Sequence, residues 1–116
     1  MAERRVVVFL SHADAEALRL AGACALAAGA MGDRVDVYLL GPAVPAVVAA
    51  HDDERDEPGG LLHRAREAGA CRLVACSASV VEHRVALADA ERALDAVVGW
   101  PTIIEWSRGV VDRYSF

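Results

Sequence analysis

The chain has few aromatic residues, no excess of positive charge and no long apolar run. Aromatic residues make up 5% of the 116 residues, so the core must be built from small and branched side chains. The net charge of −5 at pH 7 argues against a nucleic-acid or anionic-membrane surface, because phosphate binding needs a basic stripe. A small anionic ligand held by backbone amides is compatible with that charge.

The lengths of the apolar segments and the number of cysteines argue against a membrane-spanning or secreted protein. The uncharged run from Leu20 to Gly32 is shorter than the roughly 20 residues of a membrane-spanning helix. The run from Val6 to Leu10 is too short for a secretory signal. The odd number of cysteines (Cys24, Cys71 and Cys76) and the lack of a secretory signal disfavour a disulfide framework. There is no CxxC pair, and the spacing of Cys71 and Cys76 matches no common metal pattern. We therefore expect a cytoplasmic protein that binds neither nucleic acid nor membrane.

Apolar, β-branched runs alternate with longer segments that have helix signals. Strands are expected at Arg5–Leu10, Val35–Leu40, Cys71–Ala75, Ala96–Val98 and Val110–Phe116. Helices are expected at Asp14–Met31, Ala43–Ala50, Leu61–Ala68, Val80–Leu94 (as one helix or two) and Thr102–Arg108, with His51–Pro58 as a solvated acidic loop. Ser11 and Asp14 have the spacing of a capping box. The alternation indicates an α/β fold whose parallel sheet is covered on both faces.

The first predicted helix carries no charge on any face from Leu20 onwards. A helix that is apolar all round is usually buried all round, whereas a small α/β domain covers only one side of an outer helix. We therefore expect the other side to pack on a second subunit of a homo-oligomer. The alternative is an alanine-rich face that tolerates water.

Residues able to do chemistry follow the ends of the predicted strands. In open α/β sheets, ligands bind beyond the carboxyl ends of the strands. Cys76 lies at such an end, beside the expected start of a helix, where backbone N–H groups and the helix dipole favour a thiolate. Cys76 is therefore the candidate catalytic residue. The other candidate site residues are Ser11 and His12 after the first strand, Ser77 and Ser79 after the third, and Trp100 and Thr102 after the fourth.

Each cysteine also has a structural interpretation. Free cysteine is often a small buried hydrophobe, and this alternative stays open for Cys76. Cys24 lies inside the apolar helix, and Cys71 lies on the opposite pleat face of the third strand from Cys76. We expect Cys24 and Cys71 to be structural.

The other candidate site residues also have interpretations that involve no function. His12 would act as a base or orient a ligand, or it is simply a polar loop residue. Ser77 and Ser79 would bond to a thiolate, cap the following helix, or do both. Trp100 would either close the pocket or fill an interface.

With these residues in place, the chain resembles the DsrE/DsrF-like family of small sulfur-relay proteins, which includes TusD-type subunits. The resemblance runs almost from end to end. The segments that carry it are Val6–His12, Ala30–Gly32, Val35–Gly41, Ala68–Ala70, Ala75–Ser79 and Gly99–Thr102. It implies a three-layer α/β/α fold with a five-stranded, mainly parallel sheet, in one domain spanning residues 1–116, and oligomeric assembly.

The resemblance also implies a function. In relay members, a cysteine at the position of Cys76 accepts sulfane sulfur as a persulfide and passes it on. That implies a sulfurtransferase-type sulfur carrier whose partners are sulfur donor and acceptor proteins or small thiols, with no organic cofactor and no metal. Relay members often carry Arg-Gly shortly after the cysteine, whereas here Arg84 precedes Val85 after a longer interval. The identity of the donor and partner therefore stays open.

Two other hypotheses fit the same sequence. One is a non-catalytic module that binds a small anion or a nucleotide-like ligand, with Cys76 only lining the pocket. The other is an assembly module whose first helix builds a complex, in which case a charge placed at Ala25 would break assembly.

Overall fold

Five strands and six helices alternate along the chain in the computed structural model, which describes residues 3–116. The strands are β1 Arg5–Leu10, β2 Arg34–Leu39, β3 Arg72–Cys76, β4 Ala96–Val98 and β5 Asp112–Ser115. The helices are α1 Ala15–Ala30, α2 Ala43–Ala50, α3 Glu57–Glu67, α4 Ser77–Glu82, α5 Leu87–Ala93 and α6 Trp100–Trp106. Residues 1 and 2 of the expected 1–116 domain lie outside the described residues.

The strands form one sheet in the order β4-β3-β2-β1-β5, and every neighbouring pair is parallel. This confirms the predicted α/β fold with a five-stranded sheet. Because parallel strands share a direction, the segments that follow them all leave from the same edge of the sheet. That edge is the one where the candidate residues were expected.

The pleat divides the core into two parts, one on each face of the sheet. On one face, Val6, Val8 and Leu10 of β1 pack in a core that includes residues from α1 to α5. The core on the other face consists of Val7, Tyr38, Val74, Cys76 and Ile103, with Trp106 and others packed at its margin. The molecule therefore has three layers, but they are unequal, because α6 is the helix that contributes to the second core.

Helix α1 lies very close to α3 and to the turn after it, because two glycines leave room. A Cβ on Gly29 would lie 2.7 Å from both the Cβ and the carbonyl oxygen of Ala70. A Cβ on Gly22 would lie 2.8 Å from Cγ of Leu61. The contact at Gly29 involves backbone, which cannot move aside as a flexible side chain can.

The start of α1 differs from the prediction. Its N-cap is Asp14, whose carboxylate accepts the Ala17 N–H at 3.1 Å. Ser11 instead extends the pairing of β1 with β5, since its N–H donates to the Phe116 carbonyl at 2.9 Å. The capping box expected from Ser11 and Asp14 is therefore wrong, because a sheet contact holds Ser11.

The acidic segment expected to be a loop over residues 51–58 ends in the first turn of α3. Asp56 caps this helix by accepting the Gly59 N–H at 3.0 Å. Pro58 lies in the first turn, where its missing N–H is not needed. The helix expected from Leu61 thus begins four residues earlier, at Glu57.

The segment expected as one helix or two over residues 80–94 is two helices, and the first begins directly after Cys76 at Ser77. Helix α4 ends where Arg84 adopts a positive φ of 53°. The Val85 N–H then donates to the Val80 carbonyl at 3.0 Å, as in a Schellman motif. Downstream, α6 begins two residues before the predicted start, and β5 is shorter than the predicted 110–116 strand.

The outer face of α1 is apolar and exposed. Leu20 is 48% exposed and Met31, at the helix end, is 80% exposed. The helix is therefore not buried all round within one chain, and its packing on a second subunit stays a prediction. Ala25 is fully buried, so a charge there would disrupt the core, and the choice of Ala25 as a test of assembly was wrong. Ala27 lies on the exposed face. Within residues 3–116, no helix is long and apolar enough to cross a membrane.

A partly buried ion pair connects β2, β3 and α6. Arg72 donates two hydrogen bonds, of 2.9 and 3.1 Å, to the carboxylate of Asp36, which is 5% exposed. The Arg72 guanidinium lies 4.3 Å from the centre of the Trp106 ring. Arg5 donates to the Trp106 carbonyl. These cations fix the last turn of α6 against the sheet.

We expect Gly29→Ala to lower the free energy of unfolding by about 1–3 kcal/mol, because the new methyl group overlaps the Ala70 backbone. Denaturation with urea measures the change. Gly60→Ala is the matched control, since its Cβ would meet only the end of the Arg64 side chain, at 3.2 Å. That control should be neutral or more stable by up to about 1 kcal/mol. Equal effects of the two substitutions would contradict the close approach.

We expect Asp36→Ala to cost about 3 kcal/mol of stability, because it leaves the partly buried Arg72 guanidinium without its counterion. The exposed pair of Asp52 with Arg92 provides the control. Asp52→Ala should cost less than about 1 kcal/mol, since water screens that pair. Thermal or urea unfolding of both variants tests the difference, and similar losses would argue against a special role for the buried pair.

Candidate functional site

Cys76 is the last residue of β3 and the N-cap of α4. Its backbone is extended, with φ −71° and ψ 123°, and the next residue is already helical. Small residues at Ser77 and Ala78 permit this immediate change from strand to helix. The six-residue helix α4 has no side-chain cap, so no side chain occupies its first N–H groups.

The Cys76 thiol is covered by protein. The residue is 2% exposed and packs in the core between the sheet and α6, together with Tyr38 and Ile103. A reagent or partner therefore reaches the sulfur only after α6 or a neighbouring turn moves.

Ser79 connects the segment after Cys76 to the end of β2. The Gly41 N–H donates to Ser79 Oγ at 2.8 Å, and Ser79 is 7% exposed. Gly41 has a φ of 55°, a conformation that glycine adopts without strain. This bond positions the helix that follows Cys76, which is a structural role for Ser79 beside its predicted binding role.

Ser77 faces the turn between β4 and α6. A Cβ on Gly99 would lie 3.7 Å from Ser77 Oγ. In the same turn, the Thr102 N–H donates to the Gly99 carbonyl at 3.1 Å. The structure thus brings Ser77 together with the segment that carries Trp100 and Thr102, as the strand-end argument expected.

The residue of α6 that is buried in the same core as Cys76 is Ile103, which sequence reasoning missed. Ile103 is 1% exposed, whereas Trp100, the expected lid, is 48% exposed. The signal was the spacing of Ile103 and Trp106, three residues apart, which places both on one face of a helix. With Trp100 on the exposed side, its indole is available to contact a partner.

Ser11 and His12 lie apart from the group around Cys76. They follow β1, which is two strands from β3, and strands lie about 4.8 Å apart, so the two ends are about 10 Å apart. Ser11 Oγ lies 3.3 Å from His12 Nδ1 and donates to the Phe116 carbonyl at 3.3 Å. The exposed His12 is therefore a rim residue, not a neighbour of the thiol.

The other two cysteines are in surroundings that oppose ionisation. Burial raises the pKa of Cys24 above the ordinary value of a thiol. Burial, together with the nearby Asp95 carboxylate, raises the pKa of Cys71 to about 12. Neither supplies a reactive thiolate near neutral pH, which suits the structural role expected of both.

The described part of the chain offers no preformed metal centre. Within residues 3–116, no group of three or more His, Cys, Asp and Glu side chains is arranged to hold a metal ion. A surface cavity of about 290 Å³ lies at the amino ends of β2 and β3. A second, of about 140 Å³, lies between α2 and α3, and a third, of about 250 Å³, lies between α1 and β5. Cys76 lines none of these three.

Comparison with known proteins supports the fold. No family model and no curated protein sequence matches the chain. Among solved structures, the chain is similar to the ychN protein from E. coli, with a TM-score of 0.72 and 13% sequence identity. The match covers 97% of this chain and 99% of that one. At this identity the likeness shows a shared fold alone.

We expect Ser79→Ala to lower stability by about 1–2 kcal/mol, because it leaves the partly buried Gly41 N–H without its acceptor. Urea denaturation measures the loss. Ser77→Ala, two residues earlier and less buried, should change stability by no more than about 0.5 kcal/mol. If both variants were equally stable, Ser79 would not position this segment.

Proposed function

We propose that this protein is a DsrE/DsrF-type sulfur carrier that holds sulfane sulfur as a persulfide on Cys76. The observation that carries the proposal is the position of Cys76, which ends β3 at the carboxyl edge of the sheet and directly precedes the uncapped first turn of α4. The three-layer fold with a five-stranded parallel sheet agrees with the resemblance. Donor and acceptor proteins or small thiols would be the partners, in the cytoplasm.

The proposed chemistry is two thiol exchanges. In loading, the Cys76 thiolate attacks the outer sulfur of a donor persulfide, so a new S–S bond forms on Cys76 while the donor's S–S bond breaks. The donor leaves as a thiolate. In unloading, an acceptor thiolate attacks the outer sulfur on Cys76, and the Cys76 thiolate leaves. The sulfane sulfur moves without net oxidation, so the two steps require no oxidant, reductant or redox cofactor.

The burial of Cys76 makes access part of the proposal. Since the thiol is buried in the core between the sheet and α6, exchange requires α6 or a neighbouring turn to move, and we propose that α6 is the part that moves. Ser77 and Ser79 lie on the side of the site that does not have to move, within the segment that follows β3. Trp100 and Thr102 lie on the helix that does, and Ser11 and His12 form the more distant rim.

Assembly into a homo-oligomer is a further part of the proposal. The exposed apolar face of α1, with Leu20 and Met31 at its two ends, is the surface we assign to contact between subunits. Because a charge at Ala25 would enter the core, Ala27→Glu is the suitable variant to test this surface.

The second candidate function is a binding module in which Cys76 only lines the site. The observation that favours it is the 2% exposure of the cysteine, which also fits an unreactive core thiol. In that case, a ligand would raise the melting temperature of the wild type and of Cys76→Ala equally.

We expect wild-type protein, incubated with a persulfide donor, to gain one sulfur atom at Cys76 and to pass it to a small thiol. The Cys76→Ser variant should gain none, because its hydroxyl group cannot form the persulfide. Mass spectrometry of the intact protein and of its peptides measures both steps. Cys24→Ser and Cys71→Ser are the matched controls and should load normally. Loading of Cys76→Ser equal to that of the wild type would refute the proposal.

Alkylation of the native protein at several pH values separates the two candidate functions. With a pKa of about 12, Cys71 has roughly one thiolate in ten thousand at pH 8 and serves as the slow internal standard. The sulfur-carrier proposal expects Cys76 to be labelled faster than Cys71, because the proposed exchange requires movements that expose the Cys76 thiol to reagents. Labelling of Cys76 no faster than that of Cys71 would favour the binding module.

A further inference from the structure

The contact between α2 and α3 contains a buried histidine, His63, which is 6% exposed. Its Nε2 lies 2.7 Å from the Val47 carbonyl oxygen in α2. Because a carbonyl only accepts, this bond assigns the ring proton to Nε2. Nδ1 then carries a buried lone pair, and within residues 3–116 it has no hydrogen-bond partner. The site accommodates a neutral ring, whereas an imidazolium would bury an unpaired N–H.

Charged and titratable groups surround His63 on the side of the α2–α3 loop. The ring of His51, which follows α2, lies 5.1 Å from the His63 ring in an edge-on contact. The cavity of about 140 Å³ beside both rings is lined by the charged residues Asp53, Glu54, Asp56, Arg64 and Glu67. Helix α1, on the other side of α3, carries no charge between Leu20 and Gly32. The buried residues of β3 that face this core are apolar.

Burial lowers the pKa of His63 below that of a free histidine, and it outweighs the bond to the Val47 carbonyl, which acts in the opposite direction. Repulsion from the Arg66 guanidinium, and from His51 when it is protonated, lowers the pKa further, while Glu67 raises it. Since the unfolded chain takes up the proton near pH 6.5, the folded state loses stability as the pH falls below about 6.5. The loss is complete once the pH is below the folded pKa.

Helix α2 connects this contact to the Cys76 segment. Near its start, the Val44 N–H donates to the Gly41 carbonyl at 3.1 Å. The Gly41 N–H in turn donates to Ser79 Oγ, which positions the helix after Cys76. A displacement of α2 at Val47 therefore acts on the same glycine that holds Ser79.

We propose that His63 makes the α2–α3 contact acid-sensitive, so that mild acidification opens α2 and releases the Gly41–Ser79 bond beside Cys76. This device is independent of the chemistry of Cys76, because it follows from the burial of His63 and the two hydrogen bonds at Gly41. It would operate equally in a sulfur carrier and in a binding module.

Hydrogen exchange of the full-length protein between pH 7.5 and 5.0, corrected for the intrinsic exchange rate, tests the proposal. In the wild type, the opening constants of the α2 amides and of the Gly41 amide should rise by up to about tenfold per pH unit below about 6.5. His63→Gln, which does not titrate and still carries an amide donor, should abolish the rise. His51→Gln, at the more exposed partner ring, should retain it.

Three results would overturn the proposal. The same pH dependence in wild type and His63→Gln would remove His63 as the cause. Opening of the α2 amides without any change at Gly41 would remove the connection to Ser79. A titration of His63 at or above pH 6.5, followed by NMR in the wild-type protein, would show that the ring is not held neutral. This last measurement decides the question even if His63→Gln does not fold.

Discussion

The parallel pairing of β3 between β2 and β4 is the constraint on which the candidate site depends. Since all five strands run in one direction, the segments after β2, β3 and β4 leave the sheet at one edge. Gly41 and Gly99, which are far from Cys76 in the sequence, are thereby brought beside Ser79 and Ser77 of the segment that follows it. The position of the thiol is therefore set by the sheet, and a local rearrangement of one loop would not relocate it.

Because the two helical layers are unequal, the burial of Cys76 depends on the packing of α6. Five helices share one face of the sheet, while α6 covers Cys76 on the other. Its last turn is held by Arg72 against Trp106 and by Arg5, whereas its first turn carries the half-exposed Trp100. If α6 moves away from the sheet, its first turn has fewer contacts to break than its last turn. The first turn is also the end of α6 that follows the turn beside Ser77.

Features that depend on neighbouring residues were predictable from the sequence, and features that depend on tertiary contacts were not. Alternating apolar runs predicted the five strands, and the position of Cys76 followed from them. The wrong cap at Ser11 arose because Phe116, at the opposite end of the chain, pairs with it. The burial of Cys76 depends on the docking of α6, and the separation of His12 depends on strand order. Neither strand order nor helix docking can be read from a local pattern.

Strand order also has a consequence for how the chain is made. The first strand, β1, lies between β2 and β5, and β5 is the last of the five strands in chain order. During synthesis, the edge of β1 that will receive β5 stays unpaired while the other three strands and all six helices emerge. An open strand edge is a template for pairing with other chains. The interval between emergence of β1 and of β5 is therefore a period in which the inner strand β1 has an edge open to pairing with other chains.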